Sequence, residues 1–393
     1  MLPHRLFAQK FGECVPAALS YNSNLHSKPP RIVPILQAAK ALLVALCAFL
    51  CAALLIEAAI RFTPAIVPRD LQILRMKQIV YREGTIADPL LGHALRSFYQ
   101  REFHWASFSG SVRQAPFPGQ DRIGYRVPRD EPDRARADIV ALGDSHVQGL
   151  EVDEGKTWVH RLGALSGLRV ANLGVFDYGT AQYLRLLREY GIRLHPRLVL
   201  VLLCVNEPRD DLMFAGWSDK SGREGLAARV PEFQYKFCSR LGLGTSPRIC
   251  AATLRAIKTS VVAQALFQWS IPRWGWVDER DPRILREGLP LVLADLDEMR
   301  RFAESRGARF VVIINEAWGF TQTDALRSLT EALRREHLLY LDLSPAFKTA
   351  PYRQMVTSDV HWNETGHSFV AMEAHRFLLR QGLLPRIAGS RGR

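Results

Sequence analysis

Five residues in this sequence have the types and settings that serine acyl transfer needs. Ser145 lies in VALGDSHVQG and offers a hydroxyl. His361 lies in SDVHWNETGH and can accept the serine proton. Asp359, two residues earlier, can fold back on the other ring nitrogen and fix its tautomer. Gly174 offers a backbone donor where a side chain would obstruct a substrate, and Asn206 offers a side-chain amide. The chemistry requires a hydroxyl on an exposed turn, an imidazole, a carboxylate to orient it, and donors for the developing oxyanion. The Ser145 N–H, at a strand-to-helix turn, is a further donor. Each part has a plainer reading. Gly-Asp-Ser is a common turn, Gly174 a turn glycine, Asn206 and Asp359 helix caps, and His361 a surface imidazole. The distinguishing feature is that four separate strand-end or loop positions supply every part of one site.

Those positions follow from the elements around them. From Ala137 the chain alternates short apolar runs with helical stretches. ADIVALGDS, LRVANLG, RLVLVLLCVN, ARFVVIIN and LLYLDL read as buried strands. Helices are expected at about 156–166, 180–190, 283–307, 323–336 and 365–381. Strands that are apolar on both faces imply a parallel sheet covered by helices on each side. Ligands in such sheets bind at the carboxyl ends of the strands. Asp144-Ser145, Asn172-Leu173-Gly174, Asn206-Glu207 and Asn315-Glu316 all fall there. Residues 66–135 carry turn chemistry, so the expectation is a short helix near 70–82 and then a loop-rich lead-in with one or two strands.

The four blocks VALGDSHVQG, VANLGVFDYGTAQ, LLCVNEPRDD and SDVHWNETGH resemble those of the SGNH family, the GDSL-type esterases and lipases. The resemblance covers about residues 136–385. It implies a flavodoxin-like three-layer α/β/α sandwich with a parallel sheet. It also implies catalysis by Ser145, His361 and Asp359, an oxyanion hole of Ser145, Gly174 and Asn206, and no metal or organic cofactor. The last block looks like those of membrane-anchored and periplasmic bacterial members, including some that act on acylated surface polysaccharides. Two blocks depart from the family pattern. Val205-Asn206-Glu207 stands where Gly-Asn-Asp is usual, and His146 follows the serine where Leu or Phe is common. His146 is expected to point away from the site. Asp177, where a small residue is common, is expected to be a solvated loop residue. A metal site of Asp359, His361 and His367 lacks a third nitrogen or sulfur ligand. Trp158, Trp269, Trp274, Trp276 and Trp318 are expected in packing or interface contacts rather than on a sugar face.

Ala41 to Ile56, ALLVALCAFLCAALLI, is uncharged and lies between Lys40 and Glu57. Extended over 41–60, it is long enough for one bilayer crossing, with Glu57 near the interface. A buried core helix is the alternative. Arginines on both sides of the segment give only a weak orientation signal. The simplest arrangement is an inner-membrane anchor with the C-terminal domain in the periplasm. Net charge is +13, yet residues 1–40 carry +4 and the last twenty carry +5. The body is near balance, which argues against nucleic acid as a partner and for basic ends near anionic lipid. Among six cysteines no spacing suggests zinc. Cys204 reads as a buried thiol, and Cys238 and Cys250 can close a disulfide outside the cytoplasm. The expected organisation is a basic segment at 1–40, a membrane helix at 41–60, a lead-in at 61–135 and a hydrolase-like domain at 136–385. An insertion of about 212–275 interrupts that domain, and a basic tail occupies 386–393. The expected activity is removal of small acyl groups, acetyl foremost, from an envelope carbohydrate or related ester. Acyl transfer to a sugar hydroxyl and a non-catalytic glycan-binding subunit are the alternatives.

Overall fold

The computed structural model describes residues 32–62, 67–105, 108–129, 131, 135–204, 206–218, 259–263, 265–266, 284–315, 323–357 and 361–385. Met1–Ala53 and Leu54–Arg393 form two separate compact units. Helix α1 (Ile32–Phe62) contains a stretch, Leu36–Phe62, of 27 residues with mean hydropathy 2.6. At 1.5 Å per residue this is about 40 Å, longer than the ~30 Å hydrocarbon core of a bilayer. Leu42 and Leu55 are both 72% exposed, which a buried core helix would not show. Near the end of α1, Glu57 accepts hydrogen bonds from Arg61 (2.8 Å), the Ser260 hydroxyl (3.0 Å) and the Val262 amide (3.0 Å). A carboxylate at the end of the apolar stretch is thereby fully engaged.

The second unit is built on an eight-stranded sheet ordered β10-β9-β8-β6-β7-β5-β4-β3. Its parallel part comprises β6 (Ile139–Gly143), β7 (Val170–Gly174), β8 (Leu198–Leu203), β9 (Arg309–Ile314) and β10 (Tyr340–Asp342). Taken in chain order these five run 2-1-3-4-5, the flavodoxin-like arrangement. Every residue of β6, β7 and β8 is buried. Alternate residues feed two apolar layers. Val140, Leu142, Val199 and Val201 pack with Leu187 and Leu296 on one face, while Ile139, Ala141, Leu198 and Leu200 pack with Trp158 and Phe377 on the other. This two-sided burial explains why the strands read as unbroken apolar runs.

The lead-in departs from expectation. It holds five strands, and three of them extend the central sheet. β1 (Thr85–Asp88) and β2 (Gly92–Leu95) form a small antiparallel pair. β3 (Tyr99–Trp105), β4 (Phe108–Pro116) and β5 (Gly124–Val127) are antiparallel and join the parallel part through Arg126 opposite Asn172. Short strands separated by Pro and Gly carry too little periodicity to be recognised one by one. Helix α2 (Arg69–Glu83) packs Ile73, Met76 and Val80 against Tyr99, Phe103 and Val112 of this extension. The helix expected near 70–82 is therefore present. Most of the 212–275 insertion lies outside the described residues, as do Cys238, Cys250, Trp269, Trp274, Trp276 and Trp318. Trp158 is fully buried, and the thiols of Cys47 and Cys51 are free and exposed on α1.

Buried carboxyls tie the helices of one layer together. Asp211, on α6 (Glu207–Ser218), accepts from the Ala181 amide (3.0 Å) and the Thr180 hydroxyl at the start of α5 (Thr180–Glu189). Thr180 also reaches Asp295 at 3.1 Å. Burial pushes Asp211 up to about 8 and Asp295 up to about 6. Both values exceed the ordinary value in the unfolded chain, so the folded state holds extra protons. The stabilisation from this pair is complete below about pH 4 and is lost as pH rises toward 8. Thermal unfolding from pH 5 to 9 should therefore show a falling midpoint, and Asp211→Asn should flatten that fall. Equal slopes in the two proteins would show that Asp211 does not hold the proton.

Candidate active site

The site forms where β6 ends. Strand β6 delivers Asp144 and then α3 (Ser145–Gln148), a helix of one turn. Asp144 caps it by accepting from the His146 amide at 2.9 Å. Gly149 closes it in the left-handed region (φ 61°), and its amide donates to the Ser145 carbonyl at 2.8 Å. A side chain would be strained there. Ser145 Oγ lies 2.8 Å from His361 Nε2. Among the described residues no acceptor takes the Ser145 N–H, so the donor is available at the reacting end of the turn.

His361 is positioned by the loop before the last helix (Glu364–Arg380). Its carbonyl accepts from the Thr357 amide (2.8 Å) and hydroxyl (3.0 Å). The next residue, Trp362, is fully buried in the apolar layer and anchors the loop. Asn363, not Asp359, caps the helix, accepting from the amides of Thr365 (3.0 Å) and Gly366 (3.2 Å). Asp359 lies outside the described residues. The Nδ1 edge of His361 faces two groups that the sequence did not suggest. Glu151 Oε1 is 3.6 Å away and Lys77 Nζ is 3.5 Å away. Lys77, from α2, and Glu151 form an ion pair with each other, and both are buried.

His146 does not point away from the site. Its ring is buried and stacks on His361 with centroids 4.9 Å apart, and it meets the Trp362 ring edge-on at 4.7 Å. In a helix of one turn, the residue after the serine still faces the loop that carries the imidazole. Asp177 is exposed, as expected, and takes a left-handed φ of 55°.

Gly174 has a packing role beside the expected one. Its amide donates to Asn172 Oδ1 at 3.0 Å, a bond an oxyanion would have to displace. Its missing side chain matters as well. A Cβ there would sit on the Gln148 amide nitrogen and 2.7 Å from the Val147 Cβ. Glycine thus lets α3 lie directly on β7. Asn172 then reaches over with Nδ2, donating to the Val147 carbonyl (2.8 Å) and to Glu154 (3.0 Å). Buried Arg126 holds the carbonyls of Gln148, Gly149 and Val152, with Glu154 as its counter-ion at 3.2 Å. The sequence signals for these clamps were faint: a polar residue inside each of two strands.

Asn206 follows β8 and is 8% exposed. Its Nδ2 donates to Asp210 at 2.6 Å, and the same amide helps hold Asp144 down against the upward push of burial. Its carbonyl accepts the first bonds of α6, from Arg209 and Asp210 at 3.0 Å each. Beneath the turn, Cys204 donates its thiol to Asp144 (3.6 Å), and its amide donates to Glu207 (2.8 Å), which Tyr183 also reaches (3.3 Å). Burial and the charge of Asp144 push Cys204 and Glu207 well up. The ligand atoms of Asp144, Cys204 and Glu207 lie within 4.8 Å of one another, the one metal-sized group among the described residues. Glu207 Oε1 and Asp144 Oδ1 already accept internal donors, and the raised values favour shared protons over a bound cation. His367, pushed down to about 3 by burial, is neutral and accepts from the Trp158 amide at 3.2 Å. It is thus a packing residue of the final helix.

No family model matches the sequence. No curated protein matches it. Several solved structures are similar to it in fold. One is a catalytic mutant of an acetylxylan esterase from Geobacillus stearothermophilus, at 12% identity over 62% of this chain and 95% of that one, with a TM-score of 0.36. Another is a GDSL-like lipase from Bacteroides thetaiotaomicron, at 13% identity over 62% and 86%, with a TM-score of 0.30. A third is a two-domain esterase active on acetylated mannans, at 13% identity over 65% and 52%, with a TM-score of 0.34. The chemistry here rests on this chain's own side chains.

Gly174→Ala separates the two roles considered for that residue. The variant keeps the N–H but inserts a methyl group against α3. It should lose about 1–3 kcal/mol in urea unfolding, as overpacked cores do. Unchanged stability with lost activity would instead return Gly174 to the oxyanion hole.

Proposed function

We propose that this chain is a serine esterase of the SGNH type, held in a membrane by α1, that removes small acyl groups from carbohydrate esters of the cell envelope. Acetyl is the foremost candidate. The observation that carries this reading is the 2.8 Å contact between Ser145 Oγ and His361 Nε2. Proton transfer from the serine requires Nε2 to be the acceptor in the attacking state, with the ring proton on Nδ1; the contact itself fits donation in either direction.

Ser145 Oγ attacks the ester carbonyl as its proton passes to His361 Nε2. The oxyanion is received by the Ser145 N–H and by the Asn206 amide, which must turn to it from its present bonds to Asp210 and Asp144. A well-placed donor of this kind contributes about 3–4 kcal/mol to the transition state. Collapse of the intermediate expels the sugar alkoxide, which takes the proton from Nε2. A water molecule then gives a proton to Nε2 and attacks the acyl-serine; as the acid leaves, Ser145 Oγ takes that proton back. Asp359 would hold the Nδ1 proton. His361 is 15% exposed and Ser145 is only partly buried, so water reaches the reacting atoms, as hydrolysis requires. The soluble unit is assigned to the periplasm, as the simplest topology for an N-terminal anchor.

Ser145→Ala and His361→Ala should each lower hydrolysis of p-nitrophenyl acetate by at least about a thousandfold and abolish labelling by a fluorophosphonate. Circular dichroism should be unchanged. Activity retained by folded Ser145→Ala would remove the assignment. For location, the full chain expressed in a Gram-negative host should stay in the membrane pellet through alkaline carbonate extraction. Protease added to spheroplasts should degrade it, and protection would reverse the orientation.

A further inference from the structure

A buried lysine is costly unless its charge is matched. Lys77 is 4% exposed and Glu151 is 2% exposed, and they pair with each other. The pair needs an explanation beyond stability, because an apolar pair of similar volume is often as stable. Its position supplies one. Glu151 follows the Ser145 turn, Lys77 comes from α2 of the lead-in, and both end beside the same nitrogen of His361. We propose that Glu151 is a positioning residue for His361, and that Lys77 holds its carboxylate facing the Nδ1 edge of the ring.

The inference rests on the esterase reading, because it concerns the imidazole that takes the serine proton. At 3.6 Å the Glu151 oxygen is beyond a hydrogen bond and acts on the ring through its charge. When Nε2 receives a proton, the imidazolium gains from an anion on its far side. Lys77 at 3.5 Å opposes the same charge. The two groups therefore pull the proton affinity of His361 in opposite directions. Other titratable groups also surround the ring. Asp144 lies before α3 and attracts the imidazolium. His146 stacks on the ring from α3. His367, on the final helix, is held neutral by burial. Asp359 is on the same loop as His361, outside the described residues.

The test is the pH dependence of kcat/KM for p-nitrophenyl acetate in the full-length protein. Glu151→Gln removes the attraction and leaves Lys77 in place. Its acid limb should move down by about one pH unit, and the plateau should fall about tenfold or more. Lys77→Met removes the repulsion, and its limb should move up. The double variant removes both charges without an unpaired ion, and its limb should return toward that of the wild type. Glu151→Asp should recover part of the plateau. Opposed shifts with return in the double variant are the expected result, because a merely structural pair would lower activity without moving the limb in either direction. An unmoved limb in folded Glu151→Gln, or a double variant whose limb stays where Glu151→Gln put it, would overturn the proposal. If Lys77→Met does not fold, Glu151→Gln and the double variant decide alone. Wild-type protein that hydrolyses no ester and takes no fluorophosphonate would overturn the esterase reading instead, before any variant is compared.

Discussion

A helix of one turn has too few internal hydrogen bonds to hold its own geometry, so the Ser145 turn depends on what grips it from outside. The grip comes from one pair of residues. Arg126 on β5 and Asn172 on β7 stand opposite each other, where the antiparallel extension meets the parallel sheet. Their side chains reach the carbonyls of Val147, Gln148, Gly149 and Val152. Glu154 closes the arrangement by meeting both. Without the pair these carbonyls would each lose a donor, and the Gly149 carbonyl would keep only the Val152 amide at 3.3 Å. Loss of these side chains would therefore loosen the turn.

The clamp accounts for two neighbouring features. Gly174 must lack a side chain because the clamp draws α3 down onto β7. The lead-in must fold with the parallel sheet, because its last strand carries Arg126 and its helix carries Lys77. One segment before the Ser145 turn thus supports both the serine and the imidazole.

On the other side of β6, Asp144, Cys204, Glu207 and Tyr183 are linked by hydrogen bonds under the turn. Burial pushes these groups toward their protonated forms. Such a chain is rigid only while its protons are in place. Apart from Asp144, the charge close to the reacting atoms is carried by a different set. Lys77 and Glu151 approach the imidazole from the lead-in and from the loop after α3.

The sequence alone determined the elements with strong local signals. Apolar runs marked β6 to β10, α1 was legible as a stretch long and apolar enough to cross a bilayer, and Ser145 and His361 stood out by residue type at a strand end and in a loop. Each of these depends on neighbours within a few positions. The meeting of Ser145 with His361 at 2.8 Å spans 216 positions and became visible only in the fold. The same holds for Lys77 beside His361, for the Arg126–Asn172 clamp and for the role of Gly174. A lysine in an amphipathic helix, an arginine in a short strand and a glycine at a strand end look ordinary in sequence. Their functions come from which backbone they are pressed against, and that is set by packing between segments far apart in the chain.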